Sequence, residues 1–180
     1  MLNFRDDPTA FRAFIKEHQD RVYNLVLNKV QQPEDAEEIT QDVFIAVFRK
    51  PEAFRGDAAV TTWLYRIALN KCIDHLRSRQ SRNKWTLRQL FSAQPPEAEP
   101  KELSHPGILM ENREKAGILF TAMKQLPERQ HTAWVLSEME NISYKEISEI
   151  MNVSVSSVES LLVRARQNLK KILSTLHSDK

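Results

Sequence analysis

The chain has 180 residues, enough for one ordinary domain or two small ones, and 41% of them are hydrophobic, so it can bury a core. Three glycines are too few for a glycine-punctuated all-β fold, and the abundance of Leu, Ile, Ala, Glu, Lys, Arg and Gln favours helices. A net charge of +2 does not by itself signal nucleic acid, so the placement of charge must carry that argument. Cys72 is the single cysteine, which excludes an intramolecular disulfide and a cysteine-rich zinc site. The N-terminus MLNFRDDPTA lacks the apolar stretch of a signal peptide. The longest apolar run, Val43–Phe48, is far too short to span a bilayer. A cytoplasmic protein without membrane insertion is the expectation.

In chain order, Asp7-Pro8 predicts a helix start, with Asp as cap and Pro in the first turn. Phe11, Phe14, Ile15, Val22, Leu25, Val26 and Val30 follow at helical spacing. Pro33 opens a second helix. Five acids lie between Glu34 and Asp42, where the helix dipole favours negative charge, and Ile39, Val43, Phe44 and Val47 form its apolar stripe. FRGDAAVTT follows, with Gly56 marking a turn and Thr61 or Thr62 as a cap. The next helix should bury Trp63, Leu64, Ile67, Ala68, Ile73 and Leu76. From Arg66 to Arg88 it carries seven Lys or Arg residues and one acid, Asp74.

Residues 92–107, with four prolines and three glutamates, read as an extended linker. Beyond it the spacing predicts a helix over 108–125, broken at Leu126-Pro127, and a new helix from PERQHTAW. Ser143 and Glu146 form a capping box that opens a short helix with Tyr144, Ile147 and Ile150 inward. Asn152-Val153 forms a turn and Ser154 caps the last helix, whose buried face is Val155, Val158, Leu162, Ala165 and Leu169. The fold expected is all-α: two small helical domains joined by an extended linker, with bounds 1–88, 89–109 and 110–180.

Two helices, the first of about two turns, joined by three or four residues with a cap after the turn, describe a helix-turn-helix, in which the N-terminal part of the second helix enters the major groove. Its outward residues here are Ser156, Ser157, Glu159, Ser160, Val163, Arg164 and Gln167, with Arg166 beside them. Arginine suits phosphates and guanine edges, whereas Ser and Gln suit base edges or backbone. On spacing alone, a plain helical hairpin with a solvated charged face fits equally well. The basic helix after Phe54, with Trp63 and Tyr65 near its start, suits single-stranded nucleic acid, although Trp63 also fits a core. The acidic helix 33–42 repels DNA, so any partner it has is a basic protein surface. Five scattered histidines, no HExxH, no GxSxG and no phosphate-cradling glycine loop give no active site, metal site or cofactor site. No enzymatic activity is expected.

PEDAEEITQDVFIAVFRK (33–50), FRGDAAVTTWLYRIALNKCIDHLR (54–77) and LPERQHTAWVLSEMENISYKEISEIMNVSVSSVESLLVRAR (126–166) occur in an order that resembles the extracytoplasmic-function (ECF) class of bacterial sigma factors. The first segment resembles the part that docks on the clamp coiled coil of RNA polymerase. The second resembles the part that opens and reads the −10 element, and the third the part that reads the −35 element. The resemblance implies a region 2 helical bundle, a region 4 helix-turn-helix and no enzyme activity.

It implies that Asp35, Glu38, Gln41 and Asp42 face polymerase. Phe54, Arg55, Gly56 and Asp57 would capture a flipped −10 base, a process that costs a few kcal/mol. Asn70 would lie near the unstacked strand, and Arg66, Lys71, Arg77 and Arg79 would hold phosphates. The implied partners are polymerase core (clamp coiled coil and flap), promoter DNA (duplex at −35 and single-stranded at −10) and an anti-sigma factor that wedges between the domains. That factor could hold the chain at the membrane, and the active form would be nucleoid-associated. Glu159 and Leu161 stand where Lys or Arg is common in the family's recognition helix, so the exact −35 preference does not carry over. The competing expectation is a helix-turn-helix regulator that binds duplex DNA without being a polymerase subunit.

Overall fold

A computed structural model describes Phe4, residues 7–51, Phe54, residues 59–90 and residues 110–178, the side chains of 80–90, 110–115 and 176–178 excepted. Among these residues the regular structure is entirely helical. The helices are α1 (Pro8–Val30), α2 (Pro33–Arg49), α3 (Val60–Leu90), α4 (Met110–Lys124), α5 (Glu128–Trp134), α6 (Tyr144–Met151) and α7 (Val155–Ser178). A π-helical turn, Val135–Met139, continues α5.

Local chemistry sets most of the ends. The Asp7 carboxylate accepts from the backbone N–H of Thr9 at 2.9 Å and of Ala10 at 3.0 Å, satisfying donors that a first turn leaves open. Gln31 takes a left-handed backbone, φ 56°, and its N–H closes α1 on the Leu27 carbonyl. Pro33 then sits in the first turn of α2. The α3 helix begins at Val60, so Thr61 and Thr62 lie inside its first turn and cap nothing. The helix starts early because the N–H of Trp63 already bonds the Ala59 carbonyl. It continues to Leu90, past the 88/89 boundary expected from composition.

The first three helices pack on one another around Val22, Leu25, Val26, Ile39, Val43, Val47, Leu64, Ala68 and Cys72. Each fully buried Val or Leu contributes about 1.5–3 kcal/mol relative to exposure. Phe4, Phe11, Phe14, Phe44 and Phe48 extend this core toward the start of α1 through tilted and edge-on ring contacts. In the second unit α4, α5 and α6 pack on α7 around Met123, Val135, Leu136, Ile147, Val158, Leu162, Ala165 and Leu169. The two units also touch: α3 meets α6, and α1 meets the π-helical turn.

Several expected core positions are less buried. Phe11, Ile15, Trp63, Ile67, Ile73 and Leu76 are half-buried. Tyr144 and Val155 are exposed, 36% and 40%. Both occupy the first residue of a helix, at the end of its apolar stripe. Residues 108–109, expected to begin α4, and the linker 92–107 lie outside the described residues.

Candidate DNA and polymerase interfaces

The α6–turn–α7 unit has the geometry of a helix-turn-helix. Its first helix opens on the capping box, in which Ser143 Oγ accepts from the Glu146 N–H at 3.3 Å and the Ser143 N–H donates to Glu146 Oε2 at 3.2 Å. Asn152 ends α6 in the left-handed region, φ 52°. Three residues later α7 starts, with Ser154 Oγ accepting from the Ser157 N–H at 3.2 Å.

At about 100° per residue, Val158, Leu162, Ala165 and Leu169 form the inward face of α7. Ser156, Ser160, Val163 and Gln167 run along the opposite face, and all are exposed. Glu159 and Arg166 flank this stripe on one side, Ser157 and Arg164 on the other, and these too are exposed. Three members are already engaged. Arg166 Nη2 donates to Glu138 Oε1 at 3.0 Å, and Glu138 first and Tyr144 second raise the guanidinium's pKa. The hydroxyls of Ser156 and Ser157 lie 3.0 and 2.8 Å from that of Ser154, so part of the serine cluster serves the helix cap.

In the first unit the expected polymerase-facing residues divide. Glu38 and Gln41 are exposed on the outer side of α2. Asp35 and Asp42 turn toward α3: Arg79 Nη1 donates to Asp35 Oδ2 at 2.7 Å, and Lys71 Nζ to Asp42 Oδ2 at 3.0 Å. Asp35 also has His75 Nε2 at 3.4 Å, and Arg79 reaches the Gln32 side chain at 3.2 Å. So two cations expected to hold phosphates are paired with two acids expected to hold polymerase. Periodicity shows which residues share a helix face but not which helices meet, and this pairing was invisible to it. Arg77 and Asn70 are exposed. Phe54 is half-buried with its ring 5.3 Å from that of Trp63. Arg55, Gly56 and Asp57 lie outside the described residues.

Asn28, Lys29, Thr132, His131 and Glu140, which the motif reading passed over, join the two units together with Tyr65 and Arg66. Lys29 is buried, and its ammonium donates to Thr132 Oγ1 at 2.7 Å and to the Glu128 carbonyl at 3.4 Å. Burial lowers its pKa to about 8, against the opposing pull of Glu128. Asn28 Nδ2 and the Tyr65 hydroxyl donate to the two oxygens of Glu140, at 3.3 and 3.2 Å. Burial pushes the Glu140 carboxyl upward, and burial followed by Glu140 pushes the Tyr65 phenol upward.

Beside them the buried His131 is held to a pKa of about 3, by desolvation first and the Lys29 charge second. The Arg66 guanidinium donates to the Glu149 carbonyl from Nε, at 3.0 Å, and from Nη2. A signal existed for Lys29: it stands on the apolar stripe of α1, three residues after Val26 and four after Leu25. Cys72 is fully buried and its thiol is pushed up to about 12 by desolvation, so it is not poised as a thiolate. Among the described residues there is no His, Cys, Asp or Glu cluster suited to a metal, and no helix long and apolar enough to cross a membrane.

Comparison with known proteins explains why these surfaces share one chain. Residues 14–82 match sigma-70 region 2 and residues 116–169 match sigma-70 region 4. The RNA polymerase sigma-H factor of Pseudomonas aeruginosa is 33% identical over 174 residues, 96% of this chain and 90% of that protein. The ECF RNA polymerase sigma-E factor of Escherichia coli K12 is 34% identical over 165 residues, covering 91% and 86%.

The chain belongs to the ECF class of the RNA polymerase sigma-70 family. Solved structures share the fold. The sigma factor RpoE of Bartonella quintana, in complex with the anti-sigma factor NepR, aligns over 92% of this chain and 97% of that one, with a TM-score of 0.68 at 18% identity. CnrH, in complex with the cytosolic domain of CnrY, aligns over 94% and 90%, with a TM-score of 0.65 at 20% identity.

Proposed function

We infer that this chain is the promoter-specificity subunit of an RNA polymerase holoenzyme, acting by binding and not by bond chemistry. It binds polymerase core and directs initiation from promoters defined by −35 and −10 elements. The observation that carries the assignment of its DNA side is the exposed stripe of α7 opposite a fully buried apolar face, on the second helix of a helix-turn-helix. Ser156, Ser157, Glu159, Ser160, Val163, Arg164, Arg166 and Gln167 read or grip the −35 duplex. The loop of Phe54, Arg55, Gly56 and Asp57 takes a flipped −10 base. Asn70 contacts the opened strand, and Arg66, Lys71, Arg77 and Arg79 hold its phosphates.

Glu38 and Gln41, with Asp35 and Asp42, face the basic clamp coiled coil of core, and the second unit contacts the flap. In this reading 1–88 and 110–180 are the working domains and 89–109 the linker between them. Tethering both domains to one polymerase raises their effective concentration at the promoter, so each can bind weakly alone. The protein works in the cytoplasm, at the nucleoid when active, and an anti-sigma factor holds it inactive, at the membrane where that factor is anchored there. Relatives of the same fold solved with anti-sigma partners support this last role.

Run-off transcription with core polymerase on genomic fragments tests the whole reading. The expected result is a discrete set of mapped start sites, lost when Asp35→Arg and Asp42→Arg abolish core binding. Absence of initiation on every fragment would refute it.

A further inference from the structure

Between the two units lies an open cavity of about 490 Å³, within the size range of small-ligand pockets. Lys29 lines it from α1 and Arg77 from α3; Lys124, at the end of α4, and Leu126, in the bend that follows, line it from the other side. Ile73 and Leu76, expected in the core, are only half-buried, and with Leu126 they form the apolar part of the wall. The wall thus offers cations on one part and a small apolar surface on another.

The charges in this wall do not cancel. Lys29 is 3% exposed, and its ammonium donates only to neutral oxygens, Thr132 Oγ1 at 2.7 Å and the Glu128 carbonyl at 3.4 Å. Among the described residues no carboxylate forms an ion pair with it. Buried charges are ordinarily paired, and an ammonium has three donors, of which two are used here. Arg77 and Lys124 are exposed and have no hydrogen bond or ion pair among the described residues. Arg79 also lines the cavity, but Asp35 neutralises it at 2.7 Å. Glu128 is the acid of the lining. Three uncommitted cations against one carboxylate leave a surplus of two positive charges. That surplus complements a phosphate monoester, which carries about −1.5 to −2 at pH 7.

We propose that this cavity binds a small phosphate monoester with an apolar body: Lys29, Arg77 and Lys124 hold the phosphate, and Ile73, Leu76 and Leu126 receive the body. The ligand is an effector, not a substrate, since the wall offers it no reacting group. Its effect on promoter use rests on the reading of Arg77 as a contact to the opened strand, because ester and strand then compete for one guanidinium. Binding itself is independent of that reading.

Phenyl phosphate is the probe, with inorganic phosphate and phenol as its two halves. The full-length protein is titrated with each, following backbone amide shifts by NMR. The expected result is saturable shifts around residues 73–77 and 124–128. Phenyl phosphate should bind about tenfold tighter than inorganic phosphate, because part of its ring leaves water, and phenol should not saturate. Lys124→Gln and Lys29→Met should each weaken phenyl phosphate about tenfold by removing a charge-assisted hydrogen bond. Lys170→Gln, which removes an exposed cation of α7 away from the cavity, should leave it unchanged. In run-off transcription with core, phenyl phosphate should lower the yield of wild type and spare Lys124→Gln, whose yield without ligand matches wild type.

Shifts that do not saturate overturn the site, and so does a loss of affinity in Lys170→Gln equal to that in Lys124→Gln. Local saturation with an unchanged transcript yield overturns the competition at Arg77. No transcript in the absence of any ligand refutes the promoter reading and not the cavity. If Lys29→Met loses helix content by circular dichroism, the exposed Lys124 decides.

Discussion

Acidification should strike this chain at His131. The imidazole is 7% exposed, sits beside the Lys29 ammonium, and its pKa is lowered from 6.5 to about 3. A depressed base contributes stability that is present above its unfolded pKa and is lost as pH falls toward its folded pKa. The window therefore opens near pH 6.5 and runs down to about 3. At pH 5 the unfolded chain has bound the proton and the folded chain has not. About 1.5 pH steps at 1.36 kcal/mol each give a loss of about 2 kcal/mol. In a chain of this size that corresponds to a fall in Tm of about 4–8 °C between pH 7.5 and pH 5.

Glu140, whose pKa is raised by burial, works in the opposite sense, gaining a proton in the folded state as pH falls through the same region. The comparison that isolates His131 is therefore wild type against His131→Gln, by thermal melts across the range. The variant should lose most of the acid-side slope. Imidazole titration by NMR gives a direct check, since His131 should stay neutral to pH 4 in the folded protein. A His131 resonance titrating near pH 6.5, or equal slopes in the two proteins, refutes the reasoning.

Two further outcomes are expected. Glu159→Lys, at an exposed position flanking the α7 stripe, replaces a repulsive charge with an attractive one. It should tighten duplex binding, steepen the dependence of log K on log salt by about one unit, and change the preferred −35 sequence in a selection experiment. Leu162→Ala empties a site that is 1% exposed between α7 and its neighbours. It should cost about 2–5 kcal/mol in denaturant unfolding of the second unit and weaken −35 binding only as far as that unit unfolds.

What the sequence discloses here is mostly what is local. The Asp7-Pro8 start, the Ser143–Glu146 box and the Asn152 turn are short-range devices, and each occurs where its residues predict it. The inward face of α7 was legible because four apolar residues recur at helical spacing against a polar background. Tyr144 and Val155 fit the same spacing yet are exposed, because a stripe does not tell where its facing partner stops. The acids of α2 and the bases of α3 were each legible as charge runs. That Asp35 meets Arg79 and Asp42 meets Lys71 depends on the angle between two helices, which no single-helix pattern encodes. The polar contact between the units was the least legible part. Its members, Asn28, Lys29, Tyr65 and Glu140, are scattered over 113 positions and have in common only their burial against one another.

The π-helical turn makes that contact a matter of counting. Glu140 donates its N–H to the carbonyl of Val135, five residues back and not four, so the helix carries one residue more than an α-turn needs. The turn absorbs the surplus residue and stacks Glu140 over Val135. Deleting one residue between Val135 and Met139 would let the same N–H reach the Val135 carbonyl across four residues, an ordinary α-turn, and would leave position 140 still stacked over Val135 on the side of Asn28 and Tyr65. A single-codon deletion there should therefore leave the two halves fastened, whereas a substitution at Asn28, Tyr65 or Glu140 removes a partner outright.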